Sequence, residues 1–277
     1  MTCRVLELPP VRWAVRCEAT FTLRHARTGE ILRQQTHKNK VVDAGLNQVR
    51  DLIGVGNWGP TYVAIGTNTA APAAGDTTLG NEVARKEITL TDLDVGQVTF
   101  QAFFDQSEGN NNTIGEAGLF TYERAGSMLS RVLVSPTIPK DADQTLTVSW
   151  EITLTRGSGT NPTVQGLQIA AELLANIGKA PTHIAVGTDG TAPTVNDTAL
   201  GAEVYRAKVS RRQGQNKRMD FQLYVPAGAG GAATLREAGI FNDPAGGAMF
   251  CRVLLSPTLP PVSLPATLTW QYDIAEG

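Results

Sequence analysis

The sequence predicts a mostly β protein: two tandem antiparallel β-sandwich-like domains, each with one short helix, preceded by an N-terminal β-hairpin. Three observations carry this. Apolar residues recur with a period of two in most segments, one internal repeat spans most of the chain, and a helical period is confined to one short stretch of each copy.

The hairpin comes first. Trp13 to Leu23 and Glu30 to Val41 read as extended segments on either side of the turn Ala26-Arg27-Thr28-Gly29. Residues 1–40 have no counterpart in the repeat, so the second copy manages without them. Trp13, Val15, Phe21 and Leu23 on one arm, with Ile31 on the other, give the hairpin an apolar side that needs cover. The expectation is an interface there with another copy or another protein, formed by pairing of the hairpin's edge.

The repeat is found by self-comparison at a single offset. TYVAIGTNTAAPAAGDTTLGNEVAR from Thr61 matches THIAVGTDGTAPTVNDTALGAEVYR from Thr182, and RVLVSPTIP from Arg131 matches RVLLSPTLP from Arg252, always 121 positions apart. The expected domains are 41–157 and 158–277, joined by the Gly/Ser/Asn/Pro stretch RGSGTNP at 156–162. In each copy Gly45-Leu46 or Gly166-Leu167 opens a segment of helical spacing. Asp43 is the expected N-cap of the first, Gly54 or Gly56 its stop, and Gly178 the stop of the second. Beyond the helix, Val98 to Phe104 and Leu146 to Leu154 alternate as one-faced strands, echoed by Met219 to Val225 and Leu268 to Ile274. Each copy is expected to close on a strand that follows an S-P-T-x-P turn.

Composition narrows function. With 42% apolar and 18% charged residues and a formal charge of −2 in 277 residues, the chain is globular and has no field to gather nucleic acid or anionic lipid. No run of about 18 apolar residues marks a membrane span, and the opening MTCRVLELPPVRW lacks the apolar core of a signal peptide. Cys3, Cys17 and Cys251 form neither a C-x-x-C pair nor an even set, so no disulfide framework or zinc site is expected.

Charged residues shared by both copies are the natural suspects for chemistry: Glu82, Arg85, Glu116 and Arg131, with Glu203, Arg206, Glu237 and Arg252. Paired carboxylates can serve acid–base hydrolysis. Their recurrence beside the glycines of the fold favours semi-buried ion pairs or bonds to turn amides instead. His25, His37 and His183 are scattered, and phosphate-binding, nucleophile-elbow and EF-hand motifs are missing, so no catalytic, metal or cofactor residues are assigned. Trp58 and Tyr62 with Asn110, Asn111 and Asn112, which differ between the copies, are the candidate binding loop for a host-surface glycan.

These motifs resemble a module of tailed-bacteriophage virion proteins. The resemblance lies in Thr28-Gly29-Glu30, Lys38-Asn39-Lys40-Val41, Gly45-Leu46, Tyr62 to Thr67, Asp76 to Arg85, Ile114 to Phe120 and Met128 to Arg131, and it resumes from Gly166 without the hairpin. It implies a non-enzymatic structural component, folded in the host cytoplasm and assembled in several copies with other virion proteins. The tail, the tail tip or baseplate, and the fibre attachment are the expected places, with a capsid decoration or neck protein as the alternative.

Overall fold

The computed structural model describes residues 4–124, 126–157, 159, 162–261 and 265–277. Cys3 and joint positions 158, 160 and 161 lie outside the described residues. In chain order the elements are β1 (Arg4–Glu7), β2 (Val11–His25), β3 (Ile31–Lys38), β4 (Lys40–Val41), α1 (Asp43–Val55), β5 (Tyr62–Gly66), β6 (Glu82–Glu87), β7 (Leu90–Asp94), β8 (Gln97–Phe104), β9 (Asn112–Phe120), β10 (Met128–Lys140) and β11 (Gln144–Arg156). They continue as α2 (Val164–Leu174), β12 (His183–Gly187), β13 (Glu203–Lys208), β14 (Arg211–Gln215), β15 (Arg218–Val225), β16 (Leu235–Phe241), β17 (Met249–Leu259) and β18 (Ala266–Glu276). The protein is mostly β, and neither helix is long and apolar enough to cross a membrane.

One nine-stranded sheet joins the two halves in the order β14-β15-β18-β2-β11-β8-β7. Its centre is β2, which pairs antiparallel with β11 from Trp13 to His25 and parallel with β18 from Val11 to Val15. The remaining edge of β2 is taken by β3, and the remaining edge of β18 by β1. Period-two alternation along β2 puts Val11, Trp13, Val15, Cys17, Ala19, Phe21 and Leu23 on one buried face. This corrects the expectation for the hairpin. Trp13, Val15, Phe21 and Leu23 need no second chain to cover them, because strands from both halves flank β2 and the core lies over it. Ile31 alone of the five stays exposed.

Two smaller sheets form beside it, β4-β10-β9-β5-β6 and β13-β12-β16-β17. Their registers correspond at the 121-residue offset: Tyr62 pairs with Phe120 and Gly66 with Glu116, while His183 pairs with Phe241 and Gly187 with Glu237. The S-P-T-x-P segments are not turns. The first lies inside β10 and the second runs to the end of β17, with Pro260 just past it; each has a cis Ser–Pro bond, and in β10 the pairing register shifts between Leu133 and Ile138. A bulge absorbs the extra residues while the strand runs on.

The helices fill the gap between layers and cross over. α1 packs on β10 of its own half but on β14, β15 and β18 of the other, and α2 packs on β17 but on β7, β8 and β11. One apolar core therefore runs through both halves. Close approach explains the repeated Gly-Leu: a Cβ at Gly45 or Gly166 would collide with the carbonyl of Leu129 or Phe250.

The helix ends differ in part from expectation. Asp43 is the first helical residue and not the cap, and Val42 precedes it without a side-chain bond. Asp43 instead meets Lys217 at 2.6 Å, and its charge suits the helix N-terminus. Gly56, at φ +77°, closes α1 by donating to Asp51 and Leu52 carbonyls. In α2 Thr163 caps the Gly166 N–H at 2.9 Å, but the helix stops at Leu174 and not at Gly178. Asn176 takes the left-handed conformation there, which leaves Ile177 exposed outside the helical face.

Candidate functional site

Each small sheet buries both faces. One lies on the core; over the other folds the long loop between β5 and β6, residues 67–81, or between β12 and β13, residues 188–202, which buries Leu79 or Leu200. Polar backbone brought against a sheet needs partners, and the shared charged residues supply them.

Glu116, on β9, is fully buried and accepts from the Gly80 and Asn81 N–H groups at 3.1 and 2.8 Å. Arg131 reaches across from β10 to bond Glu116 at 2.9 Å, Asp76 at 2.7 Å and the Ala70 carbonyl at 3.2 Å. Asp76 also accepts from Ala73 N–H at 2.9 Å, pinning the loop's tip. Burial pushes the Asp76 carboxyl upward, but the Ala73 amide and the Arg131 guanidinium hold it below the ordinary carboxylate range.

The second half repeats this with one addition. Glu237 takes Gly201 and Ala202 N–H at 3.1 and 2.9 Å, and Arg252 bonds Glu237 at 2.7 Å and Asp197 at 2.9 Å. Its third arm meets Asp189 at 2.8 Å, where Asn68 stands in the first half. Bonds from Thr191 and the charge of Arg252 hold Asp189 low. The repeated Gly66 and Gly187 now have a cause: a Cβ at either would strike the loop backbone and the buried carboxylate.

A second pair lies nearer solvent. Arg85 clasps Glu82 through two bonds of 2.9 and 2.6 Å and lies 3.8 Å over the Phe120 ring. Arg206 does the same with Glu203 and Phe241, at 3.7 Å. The eight shared residues thus form four pairs that fasten loops and strands. The second carboxylate of each main cluster, Asp76 or Asp197, is legible from the same offset; the third acid of the second cluster, Asp189, is not, because its counterpart is an amide.

The candidate binding loop is not one site. Asn110 to Asn112 lie at the start of β9 and Tyr62 pairs with Phe120 at its end, eight residues beyond Asn112, or roughly 27 Å at the usual strand rise. The asparagine turn is tied down from below: fully buried Lys140 donates to the Asp105 carbonyl at 2.7 Å, and Glu108 joins Lys86 at 2.6 Å and Asp105 N–H at 3.0 Å. Burial lowers the Lys140 ammonium from its usual range.

Trp58, 62% exposed, has other neighbours. With Tyr122, 51% exposed, it flanks an open cleft of about 310 Å³ lined by Asn47, Gln48, Asp51 and Asn57. Gln48 is buried and donates to the Trp58 carbonyl at 2.9 Å, while its Oε1 accepts no bond from the described residues. The second half lacks this arrangement. Ile169 replaces Gln48, and Lys179 and Asp243, at the places of Trp58 and Tyr122, join at 2.6 Å.

Among the described residues no three His, Cys, Asp or Glu side chains gather as a metal site. Cys17 and Cys251 are buried thiols, and burial pushes Cys17 up to about 12. No protein-family model matches the sequence, and a search of curated proteins finds no match.

Proposed function

We propose that this chain is a non-enzymatic structural component of a tailed-phage particle, present in several copies at the tail, its tip or baseplate, or a fibre attachment. One observation carries the non-catalytic part. The carboxylates and arginines common to both halves are bound to each other and to loop amides, and Glu116 and Glu237 are closed to solvent. A catalytic carboxylate must come within hydrogen-bond reach of its substrate; these are enclosed and hold loops. The phage assignment rests on the sequence resemblance, and the tandem-repeat sandwich organisation is part of the same proposal, supported by matching registers of the small sheets. Cryo-EM of intact particles with this protein labelled tests it: repeated density at the tail is the expected result. Copies around the capsid or neck would move the assignment there, and absence from the particle would overturn it.

A second reading is favoured by the cleft. Two exposed aromatics over amide groups, with a buried amide oxygen unpartnered at its wall, suit a saccharide that stacks on a ring and bonds through hydroxyls. Trp58→Ala and Tyr122→Ala should each abolish glycan-array or host-cell binding; unchanged binding removes this reading.

A further inference from the structure

The two outermost strands of the nine-stranded sheet, β7 and β14, are equivalent strands of the two halves: Leu90 corresponds to Arg211 and Asp94 to Gln215. They have acquired opposite charge. β7 reads LTDLD and β14 reads RRQGQ, and Asp92, Asp94 and Arg211 are exposed. Among the described residues each pairs on one side only, β7 with β8 and β14 with β15, so each leaves an unpaired backbone edge toward solvent, on which the Leu93 N–H of β7 is held by the Asp92 carboxylate at 3.0 Å. Like charge along an edge disfavours pairing with its own copy. Opposite charge on the two edges favours pairing of one with the other.

The strand directions fit. Following the parallel and antiparallel steps from β7 through β8, β11, β2, β18 and β15 to β14 leaves β7 and β14 pointing opposite ways. A second copy translated along the sheet therefore brings its β14 antiparallel to this β7 with the same face outward. Leu90, Asp92 and Asp94 share that outer face with Gln101, Thr99 and Gln97; Arg211 and Gln213 share it with Gln222 and Asp220. With the two strands aligned end to end, Asp94 faces Arg211 and Asp92 faces Gln213.

We infer that copies of this chain join head to tail through β7 of one and β14 of the next, extending the sheet from molecule to molecule. This deepens the multi-copy reading above and rests on it. Such a heterologous contact closes into a ring or runs on as a filament.

The test is sedimentation velocity of the full chain at low salt, with charge reversals at exposed positions. Wild type should form species larger than a dimer. Asp92→Lys with Asp94→Lys, and separately Arg211→Glu with Gln213→Glu, should each weaken association by about ten-fold or more. An equimolar mixture of the two variants should restore it, since each then meets an edge of opposite sign, and that recovery also shows that both are folded. A wild type that stays monomeric overturns the edge contact. Association that ignores the reversals, or a mixture that does not recover, also overturns it, while copy number in the particle judges the multi-copy reading separately.

Discussion

Asp189 lies 2.8 Å from Arg252 at the place where Asn68 stands in the other half. That one difference gives Arg252 three carboxylate partners and leaves Arg131 with two and a carbonyl. The two buried clusters should therefore differ in tolerance. Removing one partner of a buried pair costs roughly 3 to 5 kcal/mol, because the other charge is left without solvent. Glu116→Ala should lie at the upper end and Glu237→Ala lower, since Arg252 keeps two acids. Urea denaturation measures both, and a loss below about 1 kcal/mol in either would show that the cluster does not hold the loop.

Acid should unfold the protein through these same groups. Asp76, Asp189 and Asp197 have carboxyl pKa values held below their unfolded ones. A depressed acid contributes stability that is fully present above the unfolded value, near 3.9, and is lost as pH falls through the folded one. The melting temperature should stay level from about pH 7 to 5 and drop below about pH 4. Asp189→Asn, which restores the arrangement around Asn68, should make that drop shallower; an unchanged acid limb would count against the assignment.

Gly45→Ala sets two effects against each other. In an open helix the change gains roughly 0.5 to 1 kcal/mol. Here the new Cβ meets the Leu129 carbonyl, which already accepts the Val42 N–H at 3.2 Å and cannot yield cheaply. Overpacking of that kind costs roughly 1 to 3 kcal/mol, so the net effect should be destabilising. Equal or greater stability in thermal melts would mean that α1 can lift away from β10.

Trp150→Ala should cost roughly 3 to 5 kcal/mol. The indole is fully buried on β11, between β2 and β8. A cost below about 1 kcal/mol would mean that the core refills around the gap.

Heating should give one transition and not two. The halves share a sheet and one core, and each helix lies on strands of the other half. Calorimetric and van't Hoff enthalpies should agree, and a fragment ending at residue 157 should not fold. Two resolved transitions would contradict this.

Period-two alternation placed β2, β8, β11, β15 and β18, because a one-sided strand writes its burial directly into its residues. The offset found Glu116, Arg131 and their partners. What could not be read was which strands meet. Trp13 to Leu23 look the same whether an apolar side is covered by a neighbour or by the chain's own distant strands, since pairing of β2 with β18 leaves no local signature. The cleft escaped for a similar reason: Trp58 was visible, but Tyr122 and Gln48 join it only through tertiary packing.

The place of β2 bears on synthesis. Its parallel partner β18 is made about 260 residues later, a long loop to close for a central pairing. Until β18 arrives, one stretch of the middle strand, Val11 to Val15, stands as an open edge beside an unfinished core. A growing chain in that state is open to wrong pairing and to proteases, so speed of translation and shelter at the ribosome exit should govern yield more than the stability of the finished fold.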